Sequence, residues 1–329
     1  MSDTRFSVVG IGNAIVDVLA HTDDQFIFEN NLIKGTMSLV DEVEADIVYS
    51  KMERCIECSG GSAANTIASL ASLGSSVAFI GKVKEDKLGK VFSHDIKSLG
   101  IAFETIPSTD GLSTARCMIH VTPDAQRTMQ TFLGASINLA PSDIDETIVA
   151  SADVTYLEGY LWDPELAKQA FRKAAQVATA AGRSVALSLS DSFCVERHRS
   201  EFLNFVKNHV DILFANEEEI ISLYQQTNFD AAMMAVRSDC EIAALTRGER
   251  GSVIVCRDEV HIIDAEPVAK VVDTTGAGDA YAAGFLYGLT VNQPLNKCAR
   301  LGSICSAEII SHVGARPSVS LKNLIEEKT

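Results

Sequence analysis

The chain has 329 residues, with 28 Lys or Arg against 44 Asp or Glu and a formal net charge of −16, and its 47% hydrophobic and 22% charged composition excludes a disordered protein. A pI near 4.8 argues against nucleic acid or an anionic membrane as the main partner, because phosphate backbones demand basic patches, whereas a small phosphorylated ligand needs only a local site. The length allows two domains or one large α/β unit and is enough to bury a core without staples.

The N-terminal stretch from Met1 carries an early acidic residue and no basic leader, and no run reaches the roughly 18 apolar residues of a membrane span. Phe6 to Ile11 reads as a buried strand closed by Gly12. Apolar residues recur at helical spacing over Ser62 to Leu73, and Gly74 stands where a helix ends. Val77–Ile80 reads as a short strand and Lys87–Leu99 as a helix closed by Gly100. The runs Phe103–Ile106, Thr114–Val121 and Thr128–Phe132 are short β-type segments. They are separated by Ser108-Thr-Asp-Gly111 and Thr122-Pro-Asp-Ala125, both turn chemistry, which suggests an antiparallel meander.

From residue 150 onward, strand candidates at Val154–Leu157, Val185–Leu189, Ile212–Phe214 and Ile242–Leu245 alternate with helical stretches such as Pro164–Ala181. That alternation implies a parallel sheet covered on both faces. Ala269–Val272 reads as a further strand, and Asp279–Leu289 and Leu295–Ser311 as two helices. One wound α/β core with a small β insertion therefore fits better than two equal domains. Eight cysteines without framework spacing point to reduced thiols and a cytoplasmic setting. The CxxC at Cys55 and Cys58 lacks the second pair that a zinc site wants.

The segment with most chemistry is Asp273-Thr-Thr-Gly-Ala-Gly-Asp279, a glycine-rich turn running into an amphipathic helix. Such a turn leaves backbone N–H groups free at a helix start, where the macrodipole also favours anions. A carboxylate beside that anion hole can accept the proton of a hydroxyl attacking a phosphoryl group. A dehydrogenase reading from Gly10-Ile-Gly12 fails because Ile15 stands where the third glycine of G-x-G-x-x-G belongs.

Asp273 to Phe285 resembles the C-terminal signature of the ribokinase-like (PfkB) family of sugar and nucleoside kinases. Four further segments match that family in order. They are Gly12 to Asp17, Gly60-Gly-Ser-Ala-Ala-Asn65, Asn216-Glu-Glu-Glu219 and Thr246-Arg-Gly-Glu-Arg-Gly251. The resemblance implies a single kinase domain over residues 1–329, with a three-layer α/β/α core and a mainly parallel sheet. It also implies a β lid built from about 13–22, 34–58 and 102–132. Asp279 would be the catalytic base, with the N–H groups of Gly276, Ala277 and Gly278 stabilising charge on the phosphoryl group. Asn13, Asp17, Gly60, Gly61 and Asn65 would hold a ribose or sugar, with Arg127 on the lid reaching the phosphates. Asn216, Glu219, Thr246, Gly248 and Gly251 would serve ATP, and Glu219 would order Mg²⁺ through water. Some members also respond to K⁺.

Three stretches (Val8 to Ala20, Leu187 to Phe193 and Val210 to Asn216) are similar to adenosine-kinase-type members, and Lys34 to Leu39 fits an apolar base pocket. Adenosine converted to AMP is therefore the leading reaction, with a sugar kinase as the alternative and a non-catalytic binding relative behind both. Phe103, Met118, Phe132 and Phe193 are the candidates for stacking a base. The lid edge would suit either a monomer or a lid-mediated homodimer.

Overall fold

Glycine-bounded, doubly apolar runs build the main sheet of this computed structural model, which describes residues 5–329 apart from residues 53 and 125. Met1 to Thr4, on which the leader reading rests, and Ala125 of the expected turn lie outside the described residues. The strands are β1 (Phe6–Ile11), β2 (Ile15–His21), β3 (Met37–Leu39), β4 (Ile56–Gly60), β5 (Val77–Ile80), β6 (Ala115–Val121) and β7 (Arg127–Phe132). They continue with β8 (Ala152–Glu158), β9 (Ser184–Ser188), β10 (Ile212–Asn216), β11 (Ile242–Thr246), β12 (Ser252–Cys256) and β13 (Glu259–Ile263). The helices are α1 (Asp24–Glu29), α2 (Glu42–Lys51), α3 (Ser62–Ser72), α4 (Lys87–Ser98), α5 (Glu146–Ala150) and α6 (Glu165–Ala180). Then come α7 (Ser192–His209), α8 (Glu217–Tyr224), α9 (Phe229–Val236), α10 (Ala277–Thr290), α11 (Leu295–Ile309) and α12 (Leu321–Lys328).

Eight strands form one sheet in the order β13-β12-β11-β10-β9-β8-β1-β5. Pairing is parallel from β5 to β11 and antiparallel only at β12 and β13. The pleat of β1 shows why both faces are covered. Val9 and Ile11 pack with Trp162, Phe171 and Phe202 on the α5–α9 side, while Val8 packs with Ile67, Phe79 and Phe285 on the α3, α4, α10 and α11 side. Helix starts are fixed locally by side chains: Asp86 accepts from the N–H of Gly89, Asp191 from that of Cys194 and Asn216 from that of Glu219.

A second sheet of five strands runs β3-β7-β6-β2-β4. The β6–β7 hairpin is antiparallel, but β2 pairs β6 in parallel and β3 pairs β7 in parallel. The sheet is thus mixed, assembled from three separated parts of the chain.

Two expected strands do not form. Phe103–Ile106 makes no ladder; instead Ala102 bridges Ala78 at the edge of the main sheet and Phe103 packs against Phe79 and Phe92, so this stretch belongs to the core. Its apolar character serves burial rather than pairing. Ala269–Val272 is also irregular, because the Val272 N–H donates to the carbonyl of Ile310 in the loop after α11 and finds no strand beside it.

Candidate active site

The parallel strands end at one rim of the main sheet, and the residues leaving those ends line a single cleft. Asn13 after β1, Glu158 of β8, Ser188 of β9, Asn216 of β10 and Thr246 of β11 all face a cavity of about 680 Å³. In a doubly wound sheet the carboxyl ends of the strands are where ligands bind, because the loops there diverge from the switch in strand order. The other walls come from the small sheet and from the start of α10.

Asp279 lies in the first turn of α10, after Gly276 in a left-handed conformation with φ +77°. A Cβ at Gly276 would stand 2.7 Å from the Ala315 side chain, so only glycine makes this turn. Thr274, Thr275, Gly276, Ala277 and Gly278 all line the cavity at this turn, with the Ala277 N–H donating to the Thr274 carbonyl at 3.2 Å. Nothing lies within 4 Å of where a Cβ of Gly278 would be, which leaves a cradle open to an oxygen-rich group.

Asp279 itself is held by α3. Ser62 Oγ donates to Oδ1 at 2.6 Å and Asn65 Nδ2 to Oδ2 at 3.2 Å. Burial pushes the carboxyl up to about 6; these two bonds and the charge of Arg316 restrain the rise, while Asp17 adds to it. Asp17, on β2, is likewise raised to about 6 by burial, opposed by the charges of Arg316 and Arg127. Asn65 is 6% exposed, and its Oδ1 is buried without a hydrogen-bond partner. An unpaired acceptor beside two carboxylates is a fitting partner for a ligand hydroxyl.

Gly61, with φ +100°, turns the chain from β4 into α3, and a side chain there would stand 2.2 Å from the Asn13 carbonyl. Gly60 does not line the cavity. A Cβ on it would lie 2.4 Å from the Asp17 carboxyl, so its role is to leave room for that side chain. Asn13 borders the cavity, yet its side chain is already engaged: Nδ2 donates to Glu158 at 2.6 Å and Oδ1 accepts from Ser136 at 2.8 Å. Gly248 and Gly251 shape the turn between β11 and β12 with φ +60° and +75° and lie off the cavity wall, unlike Thr246. Arg127 does line the cavity, but its guanidinium is paired with Asp273, both side chains being largely buried. Among the base-stacking candidates Phe103, Met118 and Phe132 are core residues, whereas Phe193 is 71% exposed and lines the cavity mouth.

Two residues went unread in the sequence. Glu158, 1% exposed, accepts from the Ala63 N–H at 2.8 Å and ties the ends of β1 and β8 to the start of α3. Burial raises it to about 7. A buried acid closing an apolar strand was the available signal. The other is Arg316, whose lone position after Gly314-Ala carries no signal in sequence.

The sequence profile described as "pfkB family carbohydrate kinase" matches residues 39–322. The chain belongs to that family. Among solved structures, the adenosine kinase of Sinorhizobium meliloti is 48% identical, with a TM-score of 0.91 over 99% of this chain and 100% of that one. A probable sugar kinase from Rhizobium etli CFN 42 is 45% identical, also with a TM-score of 0.91, over 99% of both chains. An uncharacterized sugar kinase of Archaeoglobus fulgidus is 30% identical over 75% of this chain and 96% of its own length. The protein is a sugar or nucleoside kinase of the pfkB family, an enzyme with the ribokinase-like fold.

Membership implies ATP and, typically, Mg²⁺, and the donor set can be tested against both. The glycine turn at the start of α10 and the cradle at Gly278 suit a phosphate chain. Glu219 is 5% exposed, faces the cavity and is raised to about 7 by burial. Its two oxygens already accept from the Asn216 N–H at 2.9 Å and Nδ2 at 2.7 Å. Among the described residues no three His, Cys, Asp or Glu side chains cluster as a metal cage. With both oxygens engaged, Glu219 would meet Mg²⁺ through the waters that the ion keeps. No helix among the described residues is long and apolar enough to cross a membrane.

Proposed function

We propose that the enzyme transfers the γ-phosphoryl group of ATP to the primary hydroxyl of a nucleoside, with adenosine as the preferred acceptor and AMP as product. The observation that carries this reading is the apolar wall on the side of Asp17: Ile15, Met37, Leu39, Ile119 and Met129 of the small sheet and Leu133 just after β7 all face the cavity. A free hexose or pentose would leave that wall wet, whereas a purine covers it. Phe193 and Tyr160 at the mouth add aromatic surface. The likeness to an adenosine kinase at 48% identity supports the same acceptor. The second reading, a sugar acceptor, draws on the comparably similar probable sugar kinase.

In this mechanism Asp17 accepts hydrogen bonds from two vicinal hydroxyls, and the free Oδ1 of Asn65 takes a third. The reacting hydroxyl then points at Asp279, which takes its proton as the oxygen bonds to phosphorus and the bond to the β-phosphate oxygen breaks. The N–H groups of Gly276 and Gly278 stabilise the charge on the transferring group, joined by that of Ala277 when it turns from the Thr274 carbonyl to the phosphate. Glu219 would hold Mg²⁺ through water, and the ion would offset charge on the phosphates when bound. The small sheet acts as a lid that keeps water from competing as acceptor, and Arg127 leaves Asp273 for the phosphates when they arrive. K⁺ dependence, a cytoplasmic location, a role in purine salvage and a monomer or lid-paired dimer belong to the same proposal.

The deciding experiment is a panel of adenosine, guanosine, inosine, ribose and fructose with ATP and Mg²⁺, ranked by kcat/KM from coupled ADP release. Adenosine is expected first. Ribose or fructose ahead of every nucleoside would replace this reading by the second, and no ADP release from any acceptor would favour a non-catalytic binding protein.

A further inference from the structure

Arg316 lies outside every motif of the sequence and off the cavity wall, in the loop between α11 and α12. Its Nη2 donates to the Ser59 carbonyl at 2.7 Å and to Ser59 Oγ at 3.1 Å, while its Nη1 is buried with no hydrogen-bond partner. Ser59 is 1% exposed and is clamped from the far side, since its N–H and Oγ both donate to Asp95 on α4, at 2.8 and 2.6 Å. The residue after Ser59 is Gly60, against which the Asp17 carboxyl packs, and the next is Gly61, which starts α3 with Ser62 and Asn65. Two bonds from one guanidinium nitrogen to Ser59 therefore brace the strand end that leads to both carboxylate sites.

The charge has a second effect. The titratable groups facing Arg316 are Asp17 on β2, Cys58 on β4, Asp95 on α4 and Asp279 on α10. Asp17 also faces Arg127 from β7, and Asp279 also faces Asp17. Arg127 is neutralised by Asp273. Arg316 is thus the cation acting on both Asp17 and Asp279 without a carboxylate hydrogen-bonded to it.

We propose that Arg316 is the positioning residue of the acceptor site: its paired hydrogen bonds set the Ser59–Gly61 strand end against Asp17, and its buried positive charge faces both Asp17 and Asp279. This rests on the phosphotransfer reading above. The two carboxylates would otherwise repel each other and share a proton near neutrality, which disables either the grip or the base.

The test compares Arg316→Met, which keeps bulk and loses charge, with Arg316→Lys, which keeps charge and loses the longer guanidinium that reaches Ser59. Kinetics are read for acceptor and for ATP across pH, with thermal melting alongside. In Arg316→Met the acceptor KM should rise by about tenfold or more while the ATP KM stays within about twofold. Its acid limb in kcat/KM should move up by about half to one pH unit, because a lowering influence on both carboxyls is gone. Arg316→Lys should restore the limb and not the acceptor KM, and it carries the test of the Ser59 contact if the Met variant does not fold. Acceptor KM and acid limb both unchanged in Arg316→Met overturn the proposal, as does an unchanged acceptor KM in Arg316→Lys. Wild-type protein that phosphorylates no nucleoside or sugar would instead overturn the phosphotransfer reading itself.

Discussion

The hydrogen bonds from Ser62 and Asn65 hold Asp279 in place while burial keeps its proton affinity high, and a base of that kind has a kinetic signature. Asp279→Asn retains the shape and most of the hydrogen bonding but accepts no proton. Its kcat should fall by about 10²–10⁴ with both KM values nearly unchanged, as steady-state assays would read. Near-normal turnover would remove Asp279 from the proposed mechanism. With Asp279 and Asp17 both near 6, activity should decline as pH falls through about 6, two units above where ordinary carboxylates protonate. A flat kcat/KM profile from pH 7.5 down to 5 would contradict that assignment. Asp17, Asn65 and Asp279 were legible because each sits in a motif whose residues converge on the cavity. Glu158 and Arg316 were not, since a strand-end acid and a loop arginine acquire meaning only from partners 95 and 257 positions away.

At the level of elements, the site depends on places where backbone must approach side chain. Gly60→Ala would drive a methyl group into the Asp17 carboxyl, and unlike the turn glycines Gly60 needs no left-handed φ. The variant should therefore fold, while its acceptor KM rises by about tenfold and its ATP KM does not. Equal changes in both constants would point to general distortion instead. Helix and strand types were readable wherever period and caps agreed, as in Glu165–Ala180 or Ser184–Ser188. The misread stretches at 103–106 and 269–272 are apolar runs whose backbone partners are single residues, Ala78 for the first stretch at its Ala102 edge and Ile310 for the second. Composition cannot tell a residue buried beside a sheet from one paired within it.

On the scale of the whole molecule, the buried acids create a stability cost that changes with pH. Asp17, Asp279, Glu158 and Glu219 have folded values of about 6, 6, 7 and 7, each above the ordinary value for its type. The folded chain therefore holds protons that the unfolded chain has released. The stability this provides is full below about pH 4 and is lost as pH rises through 6 to 7. Asp279→Asn removes one such group, so the variant should melt higher than wild type at pH 8, by a few degrees for about 1–3 kcal/mol. The gap should shrink toward pH 5, as differential scanning fluorimetry without ligands would show. A gap independent of pH would mean that burial does not raise the Asp279 carboxyl above the ordinary carboxylate range.

The loop after α11 supplies the Gly314 N–H to Asp273, the Ala315 side chain against Gly276, and Arg316 to Ser59. One short loop thus touches the glycine turn of α10, its Asp273 anchor and the strand end beside Asp17, so the phosphate cradle and the acceptor grip share a single mechanical support.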